Sequence, residues 1–104
     1  MRMVICSTPV DDARTLATAL VDARLAACVS IVPAVQSVYR WEGEVAQAEE
    51  ALLLIKTTAA RMPELTARIL ALHPYDVPEI IAFDIRDNEG NAAYLSWLAQ
   101  SVAP

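Results

Sequence analysis

The dipeptide Glu42-Gly43 stands between two long stretches, Gln36–Trp41 before it and Glu44–Ile55 after it. A turn here folds the second stretch back on the first, so the chain has to be built around an antiparallel hairpin. The second stretch is the contested one. Val45-Ala46-Gln47-Ala48-Glu49-Glu50-Ala51-Leu52 consists mainly of good helix formers, and propensity alone reads it as helix. The turn directly before it, and the β-compatible run Leu52–Thr58 that closes it, favour a strand. Glu44–Ile55 is therefore predicted to be extended and paired with Gln36–Trp41.

The flanking segments complete the pattern. Met3–Cys6 is a short apolar run that stops at Ser7-Thr8-Pro9, a strand followed by a turn. Asp11 and Asp12 suit a helix start, where a carboxylate accepts unpaired amide hydrogens. Ala13, Leu16, Ala17, Leu20 and Val21 then recur at helical spacing, with Arg14, Thr15, Thr18 and Asp22 opposite. Cys28–Val32 reads as a second strand closed by Pro33, and Gln36–Trp41 as a third with Ser37, Tyr39 and Trp41 on one face. Pro63 opens another helix with Met62, Leu65, Ile69 and Leu72 along one face, and His73-Pro74 ends it. Val77–Ile85 reads as a strand with Pro78 near its start. Asp87-Asn88-Glu89-Gly90 is a turn, and Asn91 is placed to cap a last helix through about Val102.

The resulting order is strand, helix, strand, strand, helix, strand, with an added C-terminal helix. It describes an α+β, ferredoxin-like split βαβ sandwich (βαββαβ), one sheet face lying under both crossover helices. With 104 residues there is room for one domain, taken as 1–104. A hydrophobic fraction of 56% and a mean hydropathy of +0.36 leave apolar surface for a partner. Thirteen acidic against 8 basic residues give a formal net charge of -5 with no Lys/Arg run, which argues against nucleic acid. Cys6 and Cys28 form neither a CxxC motif nor a disulfide framework, so a reduced, cytoplasmic setting is expected. The apolar run near Met1 is too short for a signal peptide, and charged residues interrupt every candidate membrane span. There is no Gly-rich phosphate loop, no G-x-S-x-G and no H-E-x-x-H, and an enzyme is not expected.

Several stretches carry a more specific signal: Cys6-Ser-Thr-Pro, Leu25-Ala-Ala-Cys28-Val, Ser37-Val-Tyr39-Arg-Trp41-Glu-Gly43, Leu54-Ile-Lys56-Thr57, His73-Pro-Tyr75-Asp-Val-Pro78-Glu79-Ile80 and Tyr94-Leu-Ser-Trp97-Leu. In this order and spacing the chain resembles the CutA, or divalent-cation tolerance, family over nearly its whole length. The resemblance implies a ferredoxin-like subunit in a tight homotrimer, associated with tolerance of divalent metals and with copper. Two details depart from the family pattern: Ser30 stands where many members have Asn, and the turn Asp87–Gly90 is longer than usual.

His73, the single histidine, is chemically suited to Cu(II), although a His before Pro more often serves a helix end. The resemblance implies copper ligands at Cys6 and His73. Some relatives carry a second His where this chain has Leu72, so the implied binding of copper(II) or another divalent metal is weak. Cys28 reads as core. The resemblance also gathers Tyr39, Trp41, Lys56, His73, Tyr75, Glu79 and Trp97 around a cleft between subunits. Such residues serve either as a pocket for an ion or small molecule, or as interface packing with Lys56 and Glu79 as an ion pair; the second is the commoner fate. Tyr94 and Trp97 face away from the stripe Leu95, Leu98, Ala99 and Val102, which again calls for a neighbour. Three functions follow as expectations: a trimeric metal-response protein, a small-molecule module of the PII-like kind, or a structural trimer platform.

Overall fold

A computed structural model describes all residues, 1–104. The chain runs β1 (Arg2–Thr8), α1 (Ala13–Asp22), β2 (Cys28–Trp41), β3 (Glu44–Thr57), α2 (Met62–Leu72), β4 (Ile81–Asp84) and α3 (Ala92–Ser101). Short 3₁₀ turns, Val10–Asp12 and Ala59–Arg61, lead into α1 and α2. The four strands form one antiparallel sheet in the order β2-β3-β1-β4. Each crossover helix thus joins two strands that flank a third, which is the split βαβ arrangement expected from the element order.

Alternation along the strands decides which face is covered. Val4, Cys6 and Thr8 of β1, and Ala51, Leu53, Ile55 and Thr57 of β3, are fully buried. Leu16 and Leu20 of α1 and Leu65 and Ile69 of α2 close over these positions, with Leu25 and Ala26 from the connection. At the far end, Leu98 and Val102 join Ala27 in a smaller cluster that docks α3. The opposite sheet face is met only at one end, by α3, whose Tyr94 lies beside Cys28, and is otherwise without a layer over it. Register places Ser30 and Val32 opposite Leu54 and Leu52, Leu54 opposite Ile5, and Ile5 and Met3 opposite Ile81 and Phe83. Directly opposed residues share a face, so this one is largely apolar, and Ile81 and Phe83 on it stay 48% and 47% exposed.

The contested stretch is extended: Glu44–Thr57 is a 14-residue strand paired with β2 from Cys28 to Trp41. Pairing along the hairpin outweighs helix propensities of a few tenths of a kcal/mol per residue. Four other details depart from expectation. Cys28–Val32 and Gln36–Trp41 are one continuous strand, because β2 is an edge strand and absorbs Pro33 in a register irregularity between Val32 and Val35. Neither Asp11 nor Asp12 makes a side-chain cap bond; the 3₁₀ turn, with the Asp12 amide donating to the Pro9 carbonyl at 3.0 Å, leads into α1 instead. The strand expected over Val77–Ile85 contracts to Ile81–Asp84, paired with Arg2–Ile5; further along β1 the Ser7 carbonyl is taken by His73, and Pro78 has no amide hydrogen to donate. Leu72 and Val21, placed on apolar helix faces, lie half-exposed at the helix ends, and Ala99 is exposed on α3. Asn91 caps α3 as expected, its Oδ1 accepting from the Ala93 amide at 3.0 Å.

The outer half of the hairpin runs past the helical layer. Residues 36–41 and 44–49 are mostly exposed, with Val38, Trp41 and Val45 at 60% or more. The molecule is accordingly elongated, 45 × 26 × 22 Å, with a radius of gyration of 14.3 Å.

Candidate functional site

The outer half of the hairpin, the end of β1 and the loop after α2 line a pocket of about 710 Å³. The hairpin contributes Ser37, Tyr39 and Trp41 from β2 and Glu50 from β3. Alternation puts Ser37, Tyr39 and Trp41 on one face, and Val38 between them borders the pocket as well. The loop contributes Tyr75, Asp76 and Glu79, and β1 contributes Ser7.

His73 anchors that loop. Its backbone amide donates to the Ile69 carbonyl at 2.8 Å and closes α2, while its side chain is buried. Nδ1 accepts from the Tyr75 amide at 3.1 Å, so the ring hydrogen resides on Nε2, which donates to the Ser7 carbonyl at 2.8 Å. The imidazole therefore ties the loop to β1 with both nitrogens engaged. Its ring lies 4.8 Å from that of Tyr75. Tyr75 in turn donates its hydroxyl to Glu50 Oε2 at 2.8 Å. Desolvation, and then the carboxylate of Glu50, push the Tyr75 hydroxyl up to about 12, which keeps it a donor.

Cys6 sits on the covered side of β1, fully buried among core residues. Burial foremost, then the charges of Glu79 and Glu50, raises its thiol to about 12. A metal needs the thiolate and a free imidazole lone pair. Neither is on offer, and no group of three or more His, Cys, Asp or Glu side chains is placed to hold a metal ion. Cys6 and His73 therefore do not fit copper(II) in this arrangement.

Of the other residues singled out in the sequence, Tyr39, Trp41, Tyr75 and Glu79 do meet in the pocket. Lys56 and Trp97 do not. Lys56 donates to Ser30 Oγ at 2.8 Å and to the Leu54 carbonyl at 3.2 Å on the uncovered sheet face, and makes no ion pair with Glu79 of its own chain. Trp97 packs against Tyr94 on α3 at 5.4 Å. Sequence reasoning missed Glu50 and Asp76. The available signal for Glu50 was a carboxylate set directly against the apolar run 51–55 of a strand.

Comparison with known proteins gives this architecture its relatives. The family model described as CutA1 divalent ion tolerance protein matches residues 2–101. The divalent-cation tolerance protein CutA of Thermus thermophilus is 53% identical over 101 residues, covering 96% of both chains. Human protein CutA is 41% identical over 88 residues, 85% of this chain and 48% of the human one, so this chain spans about half its length. Among solved structures, the Cut A1 protein of Thermus thermophilus superposes with a TM-score of 0.93 at 51% identity, covering 99% of this chain and 100% of that one. A protein described as PII-like protein CutA, from Nostoc, superposes equally well at 28% identity, covering 99% and 98%. Agreement of family model, whole-length identity and superposition leaves one conclusion: the chain belongs to the CutA1 divalent-ion tolerance family.

Proposed function

We propose that this protein works as a homotrimer in the cellular response to divalent metal ions. The observation that carries self-association is the uncovered sheet face, where Met3, Ile5, Val32, Leu52 and Leu54 are only half-buried and Ile81 and Phe83 are exposed. A sheet of this composition needs a second layer. Here α1 and α2 are already spent on the other side, and α3 is docked in a separate small cluster with Ala27, Met1 and Ile85. The exposed hairpin tip, with Val38, Trp41 and Val45, adds an edge suited to pairing with a neighbour. Closed association around a threefold axis would cover both without leaving a free end. The family supplies the number three and the link to divalent cations. Cys6 and His73, closed as they are, carry no part of this reading, and a cytoplasmic setting is proposed from the two free cysteines. No helix is long and apolar enough to cross a membrane.

Sedimentation velocity at micromolar concentration and below tests the assembly. A trimer is expected; a stable monomer with native circular dichroism would overturn the reading, and a dimer would overturn its symmetry. Copper(II) calorimetry on the wild type and His73→Ala should give equal isotherms.

A second reading, a small-molecule module like the PII-like relative, is favoured by the pocket, whose volume suits a metabolite better than a bare ion. A structural platform remains compatible with the trimer alone, and no surface feature singles it out.

A further inference from the structure

We propose that the pocket between the hairpin and the loop after α2 is half of a composite site, completed in the assembly by the partner subunit's Lys56, whose ammonium enters it and pairs with Glu79. The inference rests on the homotrimer proposed above and assigns residues to its subunit boundary. The pocket of a lone chain is then an incomplete site.

One half carries charge of a single sign. Glu50, Asp76 and Glu79 line the pocket, and no Lys or Arg does. Glu50 is engaged within its own chain, accepting from the Tyr75 hydroxyl at 2.8 Å. Glu79 makes no ion pair there. It nevertheless lies near enough to β1 for its charge to act on the buried Cys6 thiol ahead of the charge of Glu50. Of the two carboxylates that Tyr75 leaves free, Glu79 is thus the one held toward the body of the pocket.

The other half is Lys56. Among the residues that the register sets on the uncovered face between Met3 and Ser7, Cys28 and Val32, Leu52 and Lys56, and Ile81 and Phe83, Lys56 alone is charged. Its ammonium donates to Ser30 Oγ and to the Leu54 carbonyl, both uncharged, which leaves the third hydrogen free. Covering this face with another subunit takes the ammonium out of water, and a buried charge held by neutral acceptors alone is costly. A carboxylate brought by the covering copy removes that cost through a charge-assisted hydrogen bond. Aromatic surface flanks both halves: Phe83, Tyr94 and Trp97 stand exposed around the Lys56 end, and Tyr39 and Trp41 at the pocket. Such residues are enriched where subunits meet.

The two halves cannot join within one chain. Glu50 and Lys56 lie on the same strand, β3, separated by roughly 20 Å of extended backbone. Contact between the pocket of one copy and the Lys56 end of the next is head-to-tail. Repeated about a threefold axis, such a contact closes on itself and uses each half once.

The test uses the full chain as it assembles. Unlabelled and isotopically labelled protein are unfolded together, refolded, and treated with a water-soluble carbodiimide, which couples an amine to a carboxylate only where the two touch. Mass spectrometry of the digest should find Lys56 joined to Glu79, with labelled and unlabelled chains in the same linked pair. Sedimentation velocity on the same sample reports the assembly separately. Absence of a trimer would overturn the reading on which the inference rests. A trimer in which Lys56 links to no carboxylate, to Asp76 instead, or only within single chains would overturn the composite site and leave the trimer standing. Charge reversal gives an independent arm: Lys56→Glu and Glu79→Lys should each weaken assembly by about tenfold, and the double variant should recover most of the loss because the pair is restored with its signs exchanged. Losses that simply add in the double variant would overturn the pairing.

Discussion

Tyr75 is the residue through which the loop after α2 reaches the hairpin, by its amide to His73 and its hydroxyl to Glu50. Removing only the hydroxyl, in Tyr75→Phe, should cost about 1 kcal/mol in urea unfolding, the net worth of one partly exposed hydrogen bond to a charged group. Cys6 gives a pH signature. Its thiol is raised from 9.0 to about 12 by burial and by Glu79 and Glu50. Between those values the folded protein keeps a proton that the unfolded chain has released, so stability is full below about pH 9 and falls as pH rises toward 12. Tyr75, raised from 10.0 to about 12, adds to the same alkaline decline. Urea midpoints followed upward from about pH 8 should show the fall, and Cys6→Ala should remove part of its slope while lowering overall stability. The same shift predicts that native Cys6 resists alkylation at neutral pH and reacts only on unfolding.

Among the elements, the β2–β3 hairpin is the one whose turn chemistry is least comfortable. Glu42 and Gly43 both have positive φ, 50° and 81°, as a two-residue turn of the I′ kind requires. Glycine adopts this freely; glutamate does so under strain. Glu42→Asn should therefore stabilise the protein by up to about 1 kcal/mol, because asparagine tolerates the left-handed region. Gly43→Ala should destabilise by roughly 1 kcal/mol, a cost of conformation alone since no atom lies within 4 Å of the added carbon. Thermal unfolding of the two variants checks both directions. On α3, Asn91→Ala should lose the cap to Ala93 and about 1 kcal/mol with it.

At the scale of the whole molecule, one sheet face is packed and the other is largely uncovered. Leu53→Ala on the packed face should cost about 2 to 5 kcal/mol by transfer and cavity terms. Leu54→Lys, one residue along on the uncovered face, should act differently. It should shift the sedimenting species toward monomer, because a charge brought into an apolar interface loses its water without a partner. If Leu54→Lys leaves the oligomeric state and the denaturation midpoint unchanged, the uncovered face is not where subunits meet. In the trimer reading, stability also depends on concentration, since folding and assembly are linked. A denaturation midpoint that does not move over a hundredfold dilution would count against it.

What the sequence determined by itself was the order of elements and the hairpin at their centre. Period-two and helical spacing, Gly43, Pro63 and Asn91 are local signals, and each acts within a few residues of where it is read. The residues that meet in the pocket were legible only in part, through the family resemblance that singled out Tyr39, Trp41, Tyr75 and Glu79. Only the tertiary structure decided that β2 runs through Pro33, because that depends on its lying at the sheet edge. It also cut β4 to four residues: β1 continues to Thr8, but beyond Ile5 the Ser7 carbonyl is taken by His73 and Pro78 has no amide hydrogen to donate. Glu50 became a buried, unpaired carboxylate only when the Tyr75 loop came down on the hairpin, a contact spanning 25 residues. Lys56 and Trp97 lie outside the pocket of the single chain for the same reason. Their side chains follow the pleat of β3 and the face of α3, and where those point is settled by packing between distant segments, which no local pattern records.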